Sequence, residues 1–184
     1  LKQSRKKPTV LKTKRCGLVP RILFVRAGET VQFKNEDPIN YAVKVDCITN
    51  PPYAPILPPK QNATRVFPRK EILPAVPISC SIHPWIRGYM VIQDHPYGAV
   101  SDKDGKLVIK NIPVGTWTFQ LWQEKFGYIT QLEPLKVTSS AVDKFAEGFT
   151  WDSVRAWPSE TVLFQKAASK EQQTKNADAA KEKL

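Results

Sequence analysis

A cysteine and a histidine stand three residues apart in the run ISCSIHPWIRGYM, which is otherwise apolar and aromatic. A thiolate and an imidazole at that spacing can reach one ion if the backbone turns between them. Sulfur together with nitrogen suits copper, and two His, one Cys and a weak axial thioether make a copper electron-transfer site. Such a site needs a second imidazole, and the chain holds two histidines in all, His83 and His95. We take Cys80 and His83 as candidate metal ligands.

Two other interpretations of this pair stay open. Cys80 could be a small buried apolar side chain and His83 a hydrogen-bonded structural residue. Cys80 could also be a redox-active thiol. Asp102 and Asp104 could suggest calcium, but acids in a hairpin turn such as SDKDGK are the commoner explanation.

The cysteine count excludes a disulfide scaffold. Cys16, Cys47 and Cys80 are an odd number, so at most one internal pair can form. The pattern does not fit a zinc finger either, because the sequence contains no CxxC. The sequence leaves open whether Cys16 pairs with Cys47.

The composition favours a globular β protein. Among 184 residues, apolar types make up 41% and charged types 24%, the balance of a folded domain. Sixteen prolines against eight glycines disfavour helices through the middle of the chain, because proline interrupts them. No apolar run approaches the roughly 18 residues that cross a bilayer. The basic start LKQSRKKPTVLKTKR lacks the apolar segment of a secretory signal.

The net charge of +11 is unevenly distributed, since residues 1–15 carry seven Lys or Arg and no acid. This predicts a solvated basic arm that could touch an acidic protein face or anionic lipid. Its expected contact residues are Lys2, Arg5, Lys6 and Lys7. Nucleic acid is not favoured as a partner, because no RNA-binding aromatic pattern, helix-turn-helix spacing or zinc knuckle accompanies the arm.

Apolar runs and turn residues predict strands from about residue 20 onward. RILFV and TVQFK flank the short connection RAGE, with Gly28 at the turn, and NYAVKVDCI supplies a third strand. The stretch TNPPYAPILPPKQNAT is expected to be an extended loop, since it contains five prolines. Short strands broken by proline follow in RVFPRKEILPAVPISCSIHPW, and another follows in GYMVIQDH.

The block GAVSDKDGKLVIKNIPVGTWTFQLWQE predicts a second β segment. SDKDGK is an Asp-Gly hairpin turn, KLVIKNI a strand, and WTFQLW a strand of period two. Trp117, Phe119 and Leu121 should then lie on the face opposite Trp122. Beyond residue 137 we predict two helices, one in SSAVDKFAEGF and one that starts at WPSE.

Taken in order, these runs resemble a known family. CGLVPRILFVRAGETVQFKNEDPINYAVKV, a proline-rich loop and VPISCSIHPWIRGYMVIQDHPYGAVSDKDGKLVIKNIPVGTWTFQLWQE are similar to cupredoxin-like, plastocyanin-related proteins of the bacterial cell envelope, some of the methylamine-utilisation type. The resemblance covers about Cys16 to Gly127. Cys-x-x-His-Pro-Trp, DHPY and the Asp-Gly hairpin are its most specific features. It implies a cupredoxin-like sandwich followed by a carboxypeptidase-regulatory-like segment, in a periplasmic or cell-envelope protein whose signal peptide has been removed.

The predicted fold class is all-β: a cupredoxin-like Greek-key β-sandwich extended by a β-hairpin segment, with a C-terminal helical tail. Four parts are expected. A basic arm occupies 1–15, the cupredoxin-like domain 16–95, a carboxypeptidase-regulatory-like segment packed on it 96–137, and a helical extension 138–184.

The resemblance also implies a set of copper ligands, which this sequence matches unevenly. Cys80 and His83 match the family's Cys-x-x-His. The family's first histidine falls on Tyr41, its axial methionine on Ile86, and the histidine of its Trp-His-Glu on Gln123. Three metal-binding side chains are therefore replaced. This predicts a degenerate copper site, in which Trp85 is retained for packing.

We therefore predict a non-enzymatic structural or interaction subunit of a larger extracytoplasmic assembly, such as a membrane-associated redox complex, with no cofactor of its own. Its protein partners would meet the basic arm and the aromatic anchors Trp151, Trp157 and Phe164. The sequence shows no Gly-rich phosphate loop and no catalytic triad order. One alternative is a copper-binding electron carrier that docks on an acidic redox partner. Another is a carbohydrate or cell-wall binding module that uses an exposed Trp122.

Overall fold

A computed structural model describes residues 7–102, 107–109, 112–113, 115–131, 135–137 and 161–165. The chain divides into two compact units, Leu1–Pro96 and Tyr97–Leu184. Every regular element within the described ranges is a strand. None of these residues forms a helix of the length and apolar content that a membrane span requires.

The first unit is built from two sheets. The first sheet has the order β2-β1-β4-β7 and contains β1 (Thr9–Lys14), β2 (Gly17–Val19), β4 (Thr30–Asn35) and β7 (Asn62–Val66). The second sheet has the order β3-β9-β8-β5-β6 and contains β3 (Ile22–Arg26), β5 (Tyr41–Val45), β6 (Ile56–Leu57), β8 (Val76–Cys80) and β9 (Arg87–Gln93). Strand β1 runs parallel to β4 and β3 parallel to β9. The other pairs are antiparallel.

One apolar core joins the two sheets. Leu11, Val31 and Phe33 of the first sheet share it with residues of the second sheet, namely Leu23, Val25, Val43, Val45, Ile78, Cys80, Met90 and Ile92. Each large side chain buried in this way contributes roughly 1.5 to 3 kcal/mol. The predicted all-β sandwich is therefore confirmed in this unit.

The turn after β3 connects the sheets instead of closing a hairpin. Gly28 has a φ of 84°, a left-handed conformation that glycine adopts without steric cost. The amide of Glu29 donates to the carbonyl of Arg26 at 3.0 Å. Because β3 and β4 lie in different sheets, this short turn carries the chain across the sandwich.

Strand β1 corrects the predicted basic arm. Residues Thr9–Lys14 pair with β4, and Leu11 and Thr13 are both 2% exposed. Lys12 and Lys14 alternate with them and form ion pairs with Glu36 at 2.9 and 3.7 Å. The basic composition of this segment hid a period of two, so the sandwich begins before residue 16.

The second unit contains a four-stranded sheet in the order β10-β15-β12-β13. Its strands are β10 (Gly98–Val100), β12 (Phe119–Gln123), β13 (Gly127–Gln131) and β15 (Thr161–Gln165). Strand β11 (Gly115–Trp117) pairs with β14 (Leu135–Val137). Phe119 and Leu121 form a small core with Leu107, Ile109, Ile112 and Trp117.

Three predictions for this unit need correction. The helix predicted from WPSE onward is wrong at Thr161–Gln165, because TVLFQ forms β15 between β10 and β12; β-branched Thr and Val favour a strand. Residues 107–109 are not in a strand. Trp122 is 5% exposed, and the register of β12 against β13 shifts between Leu121 and Trp122. The predicted Asp-Gly turn and the rest of 138–184 lie outside the described residues.

Candidate functional site

Cys80 and His83 meet at one end of the second sheet. Cys80 closes β8 opposite Val43 and is 3% exposed. His83 lies in the loop that leads to β9, and its carbonyl accepts a hydrogen bond from the amide of Ile86 at 3.0 Å. The turn brings Nδ1 of His83 to 3.6 Å from Sγ of Cys80. The predicted pair is therefore within hydrogen-bonding distance.

Tyr41, at the predicted position of a second imidazole, opens β5 beside this pair. It is fully buried, and its ring centroid lies 4.9 Å from that of His83, with 48° between the ring planes. Its hydroxyl donates a hydrogen bond to Oδ2 of Asp37 at 2.6 Å. Burial and the Asp37 carboxylate both raise the pKa of Tyr41 well above its ordinary value. The phenol thus stays protonated and is engaged with Asp37.

Asp37 holds a turn of the first sheet as well as Tyr41. Its two carboxylate oxygens accept the backbone amides of Arg15 and Cys16 at 2.9 and 3.1 Å. Both donors have left-handed backbone angles, with φ of 53° and 57°, so these hydrogen bonds stabilise an uncommon turn. Burial raises the pKa of Asp37, but the hydrogen bonds from Tyr41 and the two amides outweigh it and leave the pKa lowered.

Buried Asn35 fixes the loop that carries Asp37. Its Oδ1 accepts the hydroxyl of Thr13 at 3.0 Å and the amide of Asp37 at 2.9 Å. Its Nδ2 lies 2.7 to 3.0 Å from three carbonyl oxygens, those of Ile39, Leu57 and Pro58. Sequence analysis missed both Asn35 and Asp37, although Asp37 stands four residues before Tyr41 in the NEDPINY segment.

The other two predicted ligand positions are Ile86 and Gln123. Ile86, at the axial position, is 2% exposed and belongs to the main core. Gln123 belongs to the second unit, where its Oε1 accepts the amides of Lys125 and Phe126 at 2.7 and 3.3 Å. It therefore stabilises the turn between β12 and β13. Met90 faces the core of the first unit opposite Val76.

Trp85 departs from the packing role expected for it. Its ring contacts that of His83 with 5.1 Å between centroids, but 66% of the residue is exposed. Trp122 is buried, so the carbohydrate-binding hypothesis loses the exposed ring on which it depended.

The residues do not fit a trigonal copper site. The described part of the chain contains no group of three His, Cys, Asp or Glu side chains that could hold a metal ion. Cys80 and His83 supply two donors, and the neighbouring phenol is hydrogen-bonded to Asp37. A blue-copper arrangement needs a second imidazole in addition to this pair.

The structure describes two of the seven predicted partner-binding residues. Lys7 is exposed. Phe164 lies in β15, where its backbone pairs with Gly98 and Gln120. The other five residues (Lys2, Arg5, Lys6, Trp151 and Trp157) lie outside the described residues. All three cysteines are free thiols, with Cys16 exposed and Cys47 buried.

Solved structures similar to this chain include copper-containing proteins. A Cu-containing nitrite reductase from Thermus scotoductus is 22% identical over 48% of this chain, with a TM-score of 0.43. This chain spans 23% of that reductase. Amicyanin from Paracoccus versutus is 15% identical with a TM-score of 0.40, over 50% of this chain and 86% of amicyanin. An oxidised amicyanin mutant is 17% identical with a TM-score of 0.42, over 50% of this chain and 88% of the mutant.

A likeness at these identities bears on the fold and does not decide function. No protein-family model and no curated protein sequence matches the chain.

Proposed function

We propose that this protein is a non-enzymatic interaction subunit of a larger periplasmic or cell-envelope assembly, built on a cupredoxin-like domain with a degenerate copper site. The hydrogen bond from Tyr41 to Asp37 carries this proposal. This hydrogen bond occupies the hydroxyl of Tyr41, the residue at the predicted position of the second imidazole. Ile86 is apolar and buried at the axial position. We therefore favour a binding role for this domain over electron transfer.

The surface over the degenerate site supports a docking role. Three large apolar side chains are exposed there: Ile39 at 36%, Ile82 at 52% and Trp85 at 66%. They belong to the loops that meet where Tyr41 contacts His83. We call these three residues the Trp85 face. Exposed tryptophan is a common energetic anchor of protein interfaces.

The charge distribution favours an acidic partner. Residues 1–96 contain sixteen Lys or Arg against six Asp or Glu, whereas residues 97–184 contain twelve against eleven. Nearly all of the net positive charge therefore lies in the unit that carries the Trp85 face. A basic surface speeds association with an acidic one and orients it. Contacts through Lys2, Arg5, Lys6, Lys7, Trp151, Trp157 and Phe164 remain part of this proposal.

Site-specific photo-crosslinking tests the docking role. A photoreactive amino acid would replace Trp85 in one variant and Ile72 in a control, since Ile72 is an apolar residue 78% exposed. The control follows Glu71, whose amide donates to the carbonyl of Ile92 near the far end of β9. In cell-envelope extracts we expect position 85 to capture an acidic protein in a salt-sensitive manner, and position 72 not to do so. Equal capture at both positions would contradict the proposal.

The 3.6 Å approach of Cys80 to His83 favours a copper electron carrier as the second candidate function. A copper titration followed by visible absorption and metal analysis separates the two functions, with Cys80→Ser as control. Our proposal expects no bound metal and no intense band. A strong charge-transfer band that disappears in Cys80→Ser would establish the electron carrier instead.

A further inference from the structure

Asp37 and Tyr41 lie near the two ends of the connection that leads from the first sheet to the second. Asp37 follows β4 of the first sheet, and Tyr41 opens β5 of the second. Their hydrogen bond of 2.6 Å therefore links the two sheets at the end where Cys80 and His83 lie. We infer that Tyr41 and Asp37 form a metal-free clamp that closes this end of the sandwich and keeps the Cys80 and His83 pair from completing a copper site.

The carboxylate joins more than two segments. Asp37 accepts the amides of Arg15 and Cys16, in the turn between β1 and β2, while it also accepts the Tyr41 hydroxyl. Its own amide is held by Asn35 at 2.9 Å. Three chain segments thus depend on one side chain, which is the kind of cross-link that a bound ion would otherwise provide.

The ring of Tyr41 connects the clamp to the pair formed by Cys80 and His83. The fully buried ring of Tyr41 lies 4.9 Å from that of His83, in the loop between β8 and β9. The hydroxyl of Tyr41 is hydrogen-bonded to Asp37. The phenol therefore contacts His83 through its ring and offers it no donor atom. An imidazole in place of the phenol would lack this hydroxyl contact and would bring a nitrogen donor close to His83.

Equilibrium unfolding in urea tests the clamp on the full chain, treated with chelator and reductant. Tyr41→Phe removes the hydroxyl and keeps the ring. The matched control is Tyr53→Phe, because the hydroxyl of Tyr53 makes a long contact of 3.4 Å to the carbonyl of Thr64. We expect Tyr41→Phe to raise the unfolding constant roughly ten- to hundredfold, as for loss of a hydrogen bond to a charged group. An effect no larger than that of Tyr53→Phe would overturn the clamp.

Amide hydrogen exchange gives a second measurement that does not depend on global stability. Exchange at Cys16 should become faster in both Tyr41→Phe and Asp37→Asn under conditions where the proteins remain folded. Exchange at Val31, a fully buried residue of β4, is the internal reference. Unchanged exchange at Cys16 in both variants would contradict the link between the two sheets.

Metal binding tests the exclusion of copper. We expect Tyr41→His to bind copper with a visible band that is absent from the wild type and from Tyr41→Phe. If the wild type binds copper as tightly as Tyr41→His, the clamp does not exclude the ion. The inference rests on the metal-free site of the proposed function but not on its partner. Failure of crosslinking at position 85 would leave the clamp intact, and failure of the unfolding test would leave the docking proposal intact.

Discussion

The rings of Tyr41 and His83 lie in contact, with 4.9 Å between their centroids. In a copper site built on this loop, two imidazoles would converge on one ion. Here a phenol takes one of the two places, and its hydroxyl is bonded to Asp37 at 2.6 Å. Tyr41, which stands at the predicted position of the second imidazole, is therefore the residue on which the proposed degenerate site depends.

Alkaline pH should reveal the Tyr41 hydrogen bond. Burial and Asp37 raise the pKa of Tyr41 in the folded state, whereas an unfolded tyrosine has a pKa of about 10. The folded state therefore keeps a proton that the unfolded state loses, and stability falls as the pH rises above about 10. The stability gap between wild type and Tyr41→Phe should be largest near neutral pH and should shrink above pH 10. Urea unfolding at several pH values measures the gap, and a gap that does not change with pH would contradict this assignment.

Glu71 should control part of the stability at acidic pH. Its buried carboxylate accepts the amides of Ile48, Thr49 and Asn50 at 2.8 to 3.1 Å and Nδ2 of Asn50 at 2.7 Å. Burial raises the pKa of Glu71, but these hydrogen bonds outweigh it and leave the pKa lowered. The stability that Glu71 contributes is therefore present above the pKa of an unfolded glutamate, about 4.3. It is lost as the pH falls through the lowered pKa of the folded state.

Glu71→Gln should destabilise the protein by about 2 kcal/mol at pH 7 and by much less below pH 4. The control is Asp94→Asn, because Asp94 is an exposed acid in an ion pair of 3.2 Å with Lys70, and such pairs contribute roughly 1 kcal/mol or less. Thermal unfolding between pH 3 and 7 compares the two variants. Equal losses at both positions would show that the amide contacts of Glu71 add nothing.

Apolar runs bounded by turn residues were sufficient to predict much of the first unit. RILFV, TVQFK and GYMVIQ lie largely or wholly within strands, because runs of apolar and β-branched residues favour extended segments. The same rule failed for Thr9–Lys14, where two lysines lie between buried Leu11 and Thr13. Charge counted over a segment conceals which face of a strand the charges occupy.

The pairing of strands and the partners of polar residues were not predictable. A short turn with glycine indicated that two strands are connected at Gly28, but it did not show that the two strands join different sheets. The Cys80 and His83 contact followed from spacing of three, whereas the partner of Tyr41 did not. Asp37 was missed because the donors of its hydrogen bonds come from residues 15, 16 and 41, and such contacts depend on the tertiary fold.

The three thiols should react very differently. Cys16 is exposed, while Cys47 and Cys80 are 8% and 3% exposed. Burial and the neighbouring Glu71 carboxylate raise the pKa of Cys47 to about 12, so roughly one molecule in ten thousand carries the thiolate at pH 8. Ellman's reagent should therefore label one thiol rapidly in the native protein and all three in denaturant. Cys16→Ser should abolish the rapid phase, and a second fast thiol in the native protein would contradict the burial of Cys47 and Cys80.

Gly88 should be intolerant of any side chain. A Cβ at this position would lie 2.6 Å from the carbonyl oxygen of Arg21 and 2.8 Å from Cδ1 of Leu18. The backbone cannot retreat easily, because the amide of Tyr89 donates to that same carbonyl at 2.9 Å. Gly88→Ala should therefore cost about 2 kcal/mol or more.

The matched control for this change is Gly17→Ala, since a Cβ at Gly17 would meet its nearest neighbour, the carbonyl oxygen of Lys14, at an ordinary 3.7 Å. Urea unfolding should show a large loss for Gly88→Ala and a change within about 0.5 kcal/mol for Gly17→Ala. Because Gly88 lies at the start of β9, directly after the loop of His83 and Trp85, the strain should also reach that loop. Faster amide exchange at Ile86 in Gly88→Ala alone would show this coupling, and equal exchange in both variants would confine the strain to β9.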